Sequence, residues 1–83
     1  MEELALKYIQ KTEKAFENLK IARNPLNINE DQIKEVIAEA KRYLADAKYY
    51  LCNRKLETSL VSVAYSEGLL DALRMLNFVE FSW

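Results

Sequence analysis

The segment "LETSLVSVAYSEGLLDALRML", from Leu56 to Leu76, decides the fold because it is long enough for a helix of about 30 Å and carries two apolar faces. On a helical wheel, the first face contains a line of small residues at every fourth position, Ala64, Gly68 and Ala72. Such a groove admits a bulky ring from another helix, and we therefore predict that this face is the core of the monomer. The face consists of Val61, Ala64, Tyr65, Gly68, Leu69, Ala72, Met75 and Leu76, and the candidate rings are Tyr43 and Tyr50.

The second face of the same segment is a heptad-like row with charges inserted in it. A bundle helix needs only one buried stripe, so this row predicts a surface that meets a partner. We expect Glu67 of one copy to pair with Arg74 of another in an antiparallel homodimer. The predicted interface residues are Leu56, Leu60, Val63, Glu67, Leu70, Asp71 and Arg74. The alternative is that the charged side chains are simply solvated and that the first helix or the tail covers Leu56, Val63 and Leu70.

The first helix is predicted at residues 2–23. Its apolar stripe alternates steps of four and three residues, and it consists of Ala5, Ile9, Thr12, Phe16 and Leu19. Asn24 and Pro25 are expected to end the helix, because the residue before a proline is disfavoured in the α conformation.

The second helix is predicted at residues 29–53 and has the clearest start signal in the chain. Asn29 is a good N-cap with Gln32 at the capping-box position, and Ile28 and Ile33 occupy the positions of a hydrophobic staple. Asn53 is expected to end this helix in the left-handed conformation.

The third helix is predicted at residues 56–77, with Asn77 as its C-terminal cap. The tail "FVEFSW" is expected to fold back over the end of the bundle, because exposed aromatic rings are costly in water. The chain is therefore predicted to be a single all-α domain over residues 1–83, an antiparallel three-helix bundle with a short aromatic C-terminal tail.

The composition argues against several classes of function. The chain has no histidine, one glycine, a lone cysteine (Cys52) and a net charge of −1. Without histidine it lacks the commonest general base and the usual transition-metal ligands, and a single glycine cannot build a phosphate-binding loop. A net charge of −1 gives no electrostatic attraction to nucleic acid. No apolar run approaches the roughly 18 residues of a membrane-spanning helix. We expect no cofactor and a cytoplasmic location.

One enzymatic interpretation remains, a magnesium site of the kind found in all-α nucleotide hydrolases. Glu35 and Glu39 share i, i+4 spacing on the second helix, and Glu67 and Asp71 repeat it on the third. Glu35 and Glu39 lie almost opposite the apolar stripe of their own helix, so the two pairs are not expected to converge. We therefore predict a protein that is not an enzyme. A metal or small-ligand site that uses Glu67 and Asp71 is the alternative.

The stretches "DAKYYL" and "YSEGLLDALR" resemble a family of short archaeal proteins known as a domain of unknown function, number three hundred and fifty-seven in its series. The resemblance is strongest from Tyr43 to Leu76, although "NRKLE" lacks the glycine usual in that family. It implies an all-helical fold without an established activity, and an accessory role beside nucleotidyltransferase-type proteins. We expect an interaction module that forms a homodimer through the third helix or binds a protein partner. The matching positions are Asp46, Ala47, Tyr49, Tyr65, Glu67, Gly68, Leu70, Asp71 and Leu73.

Overall fold

Over residues 1–22 and 30–83, which the computed structural model describes, the chain forms three helices and two short strands. Helix α1 spans Glu2–Asn18, α2 spans Glu30–Cys52 and α3 spans Leu56–Met75, and the strands are β1 at Lys20–Ile21 and β2 at Val79–Glu80. The predicted all-α three-helix bundle is confirmed. The predicted end of the first helix at Arg23 is wrong, because α1 ends at Asn18 and residues 20–21 form a strand. The Asn24-Pro25 stop and the start signals at Ile28 and Asn29 lie outside the described residues.

The helices run up, down and up, and two serine hydrogen bonds establish the register of the last two. Ser59 Oγ donates to the carbonyl oxygen of Ala47 at 2.7 Å, and Ser66 Oγ donates to that of Ala40 at 2.6 Å. Seven residues forward on α3 thus correspond to seven residues back on α2, which makes the two helices antiparallel.

Helix α1 runs parallel to α3 and antiparallel to α2. Near its start, Ile9 belongs to a buried cluster with Leu44 and Val63. Near its end, Ala15 packs in a second cluster with Ala40 and Leu70. The partners of α1 therefore ascend along α3 and descend along α2.

The seam between α2 and α3 is built from small side chains. Ala40, Ala47, Ser59 and Ser66 are all fully buried. Small residues let two helices approach closely, and each serine hydroxyl satisfies its hydrogen-bonding need on a carbonyl of the opposite helix. A row of serines can therefore form the inner side of α3 without leaving a polar group unpaired.

The face of α3 that was predicted as the monomer core was wrong. The buried residues of α3 are Ser59, Ser62, Val63, Ser66, Leu70 and Leu73. Most of the face that was predicted as core is exposed instead, with 69% of Val61, 53% of Tyr65, 75% of Met75 and 60% of Leu76 accessible to solvent. The buried serines of α3 explain the error. Because serine is polar, the hydrophobic pattern of the sequence did not indicate that this side of the helix is buried.

The groove predicted to receive a ring along Ala64, Gly68 and Ala72 receives none. A Cβ built on Gly68 would have no atom within 4 Å beyond its own local helix. Tyr43 instead lies against Tyr65, with 4.3 Å between ring centroids.

The C-terminal tail closes one end of the bundle, as predicted, but it does so through an unpredicted strand pair. Strands β1 and β2 are antiparallel, with Lys20 opposite Glu80 and Ile21 opposite Val79. Val79 is buried against Ile33, Ile37 and Leu73. Helix α1 ends at Asn18 because Leu19 is extended, with φ −72° and ψ 132°, and leads the chain into β1.

The C-terminal ends of α2 and α3 are each followed by a residue in the left-handed conformation. At the end of α3, Asn77 has a φ of 62°, and the amides of Asn77 and Phe78 donate back to Arg74 and Leu73, which confirms the predicted cap. At the end of α2 the prediction was wrong by one residue. Arg54, with a φ of 60°, takes the left-handed position.

Ser66→Ala is expected to lower the free energy of unfolding by about 1 kcal/mol, the usual net value of a buried hydrogen bond. The reason is that Ser66 Oγ holds the register of α3 against Ala40. Chemical denaturation measures the change, and Ser82→Ala, at an exposed position, is the matched control. Equal stability of the Ser66 variant and wild type would contradict the role of the seam.

Arg54→Gly is expected to raise the free energy of unfolding by about 0.5–1 kcal/mol. A residue with a Cβ is destabilised by about 1–2 kcal/mol in the left-handed region, and glycine removes this strain. Part of the gain is offset because glycine gives the unfolded chain a larger conformational entropy. Ala45→Gly is the control, because Ala45 is an exposed position inside α2, where glycine costs about 0.5–1 kcal/mol relative to alanine. In thermal unfolding, the melting temperature should rise for Arg54→Gly and fall for the control. Equal shifts of the two melting temperatures would refute the assignment.

Candidate functional site

The exposed side of α3 is a continuous apolar surface, which we call the outer face. Its residues are Val61, Ala64, Tyr65, Gly68, Ala72, Met75 and Leu76, and all seven are exposed. Ala64, Gly68 and Ala72 form a line of small residues along it, Tyr65 lies beside this line against Tyr43, and Val61, Met75 and Leu76 lie toward its two ends. The opposite side of α3 packs on α1 and α2, so this helix has apolar residues on two sides, and Glu67, Asp71 and Arg74 lie between them.

Two grooves flank the outer face. The groove on the α1 side has a volume of about 460 Å³ and is lined by Tyr8, Leu60, Val63, Ala64, Glu67, Gly68 and Asp71. The groove on the α2 side has a volume of about 570 Å³ and is lined by Glu35, Val36, Ala38, Glu39, Arg42 and Leu69. Together with the outer face they make a broad surface in which charged groups stand at the edges.

Glu67, at the edge of the α1-side groove, is paired within the chain. Its carboxylate lies 3.1 Å from Lys11 Nζ. The same ammonium group lies 4.7 Å from the ring centroid of Trp83 and 5.5 Å from that of Tyr8. Glu67 therefore helps to hold a cation against two aromatic rings where α1, α3 and the tail meet.

Asp71 ties the tail to α3. Its Oδ1 accepts hydrogen bonds from Arg74 Nε at 3.2 Å and Nη2 at 2.8 Å, and from Trp83 Nε1 at 3.1 Å. The bonds from Arg74, and next the bond from Trp83, lower the pKa of Asp71 below its ordinary value of 3.8. Arg74 also lies over the ring of Phe81, 5.7 Å from its centroid. We call Asp71, Arg74, Phe81 and Trp83 the tail clasp.

Sequence reasoning assigned no role to Phe81 and Trp83 beyond their place in the tail. Their rings meet edge to face, with 4.8 Å between centroids. The only available signal was the density of aromatic residues after Asn77, which indicated packing but not a partner. The indole N–H of Trp83 finds Asp71 because β2 brings the tail back along α3.

The predicted interface residues divide into two groups. Val63 and Leu70 are buried in the core of the monomer, with 1% and 0% of their surface exposed, so a partner cannot reach them. The remaining residues keep some exposed surface: they are Leu56, Leu60, Glu67, Asp71 and Arg74. Glu67 and Arg74 each have an ion-pair partner within the chain, and contact of this second group with another protein stays a prediction.

Glu67 and Asp71, the candidate carboxylates of a metal site, lie beside cations rather than beside further carboxylates. Within residues 1–22 and 30–83, no three side chains among Cys, Asp and Glu come together as a metal site would require. In the same part of the chain, no helix is both long and apolar enough to cross a membrane.

A comparison with protein families finds a match that covers most of the chain. The model of the family described as "Protein of unknown function (DUF357)" matches residues 7–79. The match spans α2, α3 and most of α1 and ends before Phe81 and Trp83 of the tail clasp. It extends well beyond the segment from Tyr43 to Leu76 on which the resemblance was strongest. No curated protein and no solved structure matches the chain.

Asp71→Asn is expected to cost about 0.5 kcal/mol of unfolding free energy near pH 7, a small value because 41% of the side chain is exposed. A carboxylate with a lowered pKa stabilises the fold above the ordinary value of 3.8, and this contribution is lost as the pH falls through the lower folded value. The stability gap between wild type and variant should therefore close below about pH 4. Urea unfolding at pH 3 and pH 7 measures it.

Trp83→Phe provides the second variant for this test, because it removes one donor to Asp71 and keeps an aromatic ring. We expect it to show part of the same pH-dependent loss. A gap between wild type and Asp71→Asn that stays constant from pH 7 to pH 3 would show that the carboxylate charge does not hold the tail.

Proposed function

Because the chain belongs to the DUF357 family of proteins of unknown function, we propose its function from its own surface: it is a helical interaction module without catalytic activity, and it docks on another helix through the outer face of α3. The cytoplasmic location that the sequence predicts is part of this proposal.

The observation that carries the proposal is the exposure of large apolar side chains on the side of α3 opposite the core. Val61, Tyr65, Met75 and Leu76 are all more than half exposed and lie along one face. Covering apolar surface gains about 25 cal/mol per Å², and contiguous patches of this kind mark sites of protein contact. A partner helix laid along α3 would cover all four.

The centre of the outer face suits the close approach of a second backbone. Ala64, Gly68 and Ala72 present little or no side chain, and the space above Gly68 is open. A glycine inside a helix costs about 0.5–1 kcal/mol relative to alanine, and no contact within the monomer requires one at this position. Close helix packing against a partner supplies the reason.

The non-catalytic part of the proposal is supported by the types of residue present and by the contacts of the two candidate carboxylates. The chain contains no histidine. Glu67 faces Lys11, and Asp71 accepts hydrogen bonds from Arg74 and Trp83. Both carboxylates thus stabilise the arrangement of α1, α3 and the tail, and no observation favours the magnesium alternative.

The partner of the module is a second copy or another protein. The family resemblance implies a nucleotidyltransferase-type protein as one such partner, with this chain in an accessory role. Net charge of −1 offers no attraction to nucleic acid, which leaves an apolar protein surface as the chemistry that fits the outer face.

A photo-crosslinking residue at Val61 or at Met75 is expected to give a discrete crosslinked product in cells that produce the protein, because both side chains lie on the outer face. The matched controls are Lys34 and Ala45, exposed positions on α2 away from α3. Gel mobility and mass spectrometry of the products measure the outcome. Crosslinking that is no stronger at Val61 and Met75 than at the controls would overturn the proposed function.

A further inference from the structure

We propose that the occupant of the outer face is a second copy of this chain, packed antiparallel with its twofold axis at Gly68. The inference rests on the proposed function of the outer face and names its partner. It differs from the interface predicted from the sequence, of which Val63 and Leu70 are buried within the monomer. Three features carry it: the order of side-chain sizes along α3, the open space at Gly68 and the charges on the α2 flank.

Two pairs of outer-face residues are placed symmetrically about Gly68, whereas Tyr65, three residues before it, has Asp71 as its counterpart. In an antiparallel pair centred there, residues equally distant from Gly68 on its two sides lie opposite each other. Ala64 then faces Ala72 of the second copy, and Val61 faces Met75 of the second copy. Within these two pairs, small residues meet near the axis and larger ones meet farther from it.

This order matches the shape of two crossing helices. Helices that cross at an angle are closest at the crossing point and diverge away from it. Since a Cβ on Gly68 would meet nothing within 4 Å, the backbones can approach closely at this point. Val61 and Met75 then fill the wider space on each side, so the same surface is complementary to itself, as a twofold interface requires.

The register of α2 against α3 adds a charge argument. Since Ser66 lies at Ala40 and Ser59 lies at Ala47, Gly68 is level with Ala38. Glu35 comes three residues before Ala38 and Arg42 four residues after it, and both line the groove on the α2 flank. Opposite charges thus stand at nearly equal distances from the proposed axis. Within the chain Arg42 pairs with Glu39 at 2.8 Å, so Glu35 of a second copy would add to that ion pair.

The symmetry brings these charges together. A twofold axis that relates two antiparallel α3 helices face to face places the α2 flanks of the two copies side by side and in opposite directions. Arg42 of each copy then lies against Glu35 of the other, which gives two ion pairs. A parallel pair would place α1 of the second copy beside α2, and Arg42 would not meet Glu35. The charges therefore favour the antiparallel arrangement.

Disulfide crosslinking tests the arrangement. In a Cys52→Ala background, which removes the native exposed thiol, Val61→Cys and Met75→Cys are made as separate proteins and oxidised alone and mixed. The mixture is expected to give a disulfide-linked dimer that contains one of each, with little product from either protein alone. Self-linking of Val61→Cys in place of the mixed dimer indicates a parallel pair and overturns the proposal.

A charge exchange tests the ion pairs. Arg42→Glu should raise the dissociation constant of the dimer about tenfold in sedimentation equilibrium, since two weak surface pairs are lost and replaced by repulsion. The double variant Glu35→Arg/Arg42→Glu should restore dimerisation, because the pairs re-form with their signs exchanged. Lys34→Glu makes the same change of charge on the opposite flank of α2 and should leave the dimer intact. Failure of the double variant to restore association contradicts the proposed contact.

Two outcomes distinguish failure of the proposed dimer from failure of the proposed docking function. If the chain sediments as a monomer at high micromolar concentration while the crosslinker at Val61 captures a different protein, the second-copy inference is wrong and the docking role of the outer face stands. If the chain is monomeric and the crosslinker captures nothing above the controls, both fail. Gly68→Leu gives a further check, because it has room in the monomer but blocks the close approach and should abolish the dimer without unfolding the chain.

Discussion

The contact between the serines of α3 and the alanines of α2 is the constraint on which the rest of this structure depends. Ser59 and Ser66 are buried, and their hydroxyls must find acceptors, which the carbonyl oxygens of Ala47 and Ala40 provide. These two bonds hold the register and the rotation of α3 at once. With the serines turned inward, the large side chains at Val61, Tyr65 and Met75 can only point outward.

The charges of α3 belong to the same arrangement. Once the serines face α2, Glu67 and Asp71 come to lie on the side of α3 nearest α1 and the tail. There they hold Lys11 and Trp83. The lowered pKa of Asp71 is thus the signature of a structural carboxylate, which uses its charge to fasten the tail to the bundle.

Features that depend on neighbours along the chain could be predicted from the sequence. Apolar repeats identify the three helices, and Asn77 is recognisable as a cap because its preference for the left-handed conformation is local. Features that depend on distant partners could not. Helix α1 ends early because β1 pairs with β2, more than fifty residues away, and Arg54 takes the left-handed position although Asn53 is intrinsically better suited to it.

The sequence by itself determined three amphipathic or apolar helices, a tail that packs on the bundle, and a set of residue types without histidine. Only the tertiary structure decided which side of α3 is inside. Helical periodicity defines the angles between residues on one helix, but not the rotation of that helix against its neighbours. For a helix as apolar as α3, the rotation depended on whether buried hydroxyls such as that of Ser66 could find acceptors, and those acceptors belong to another helix.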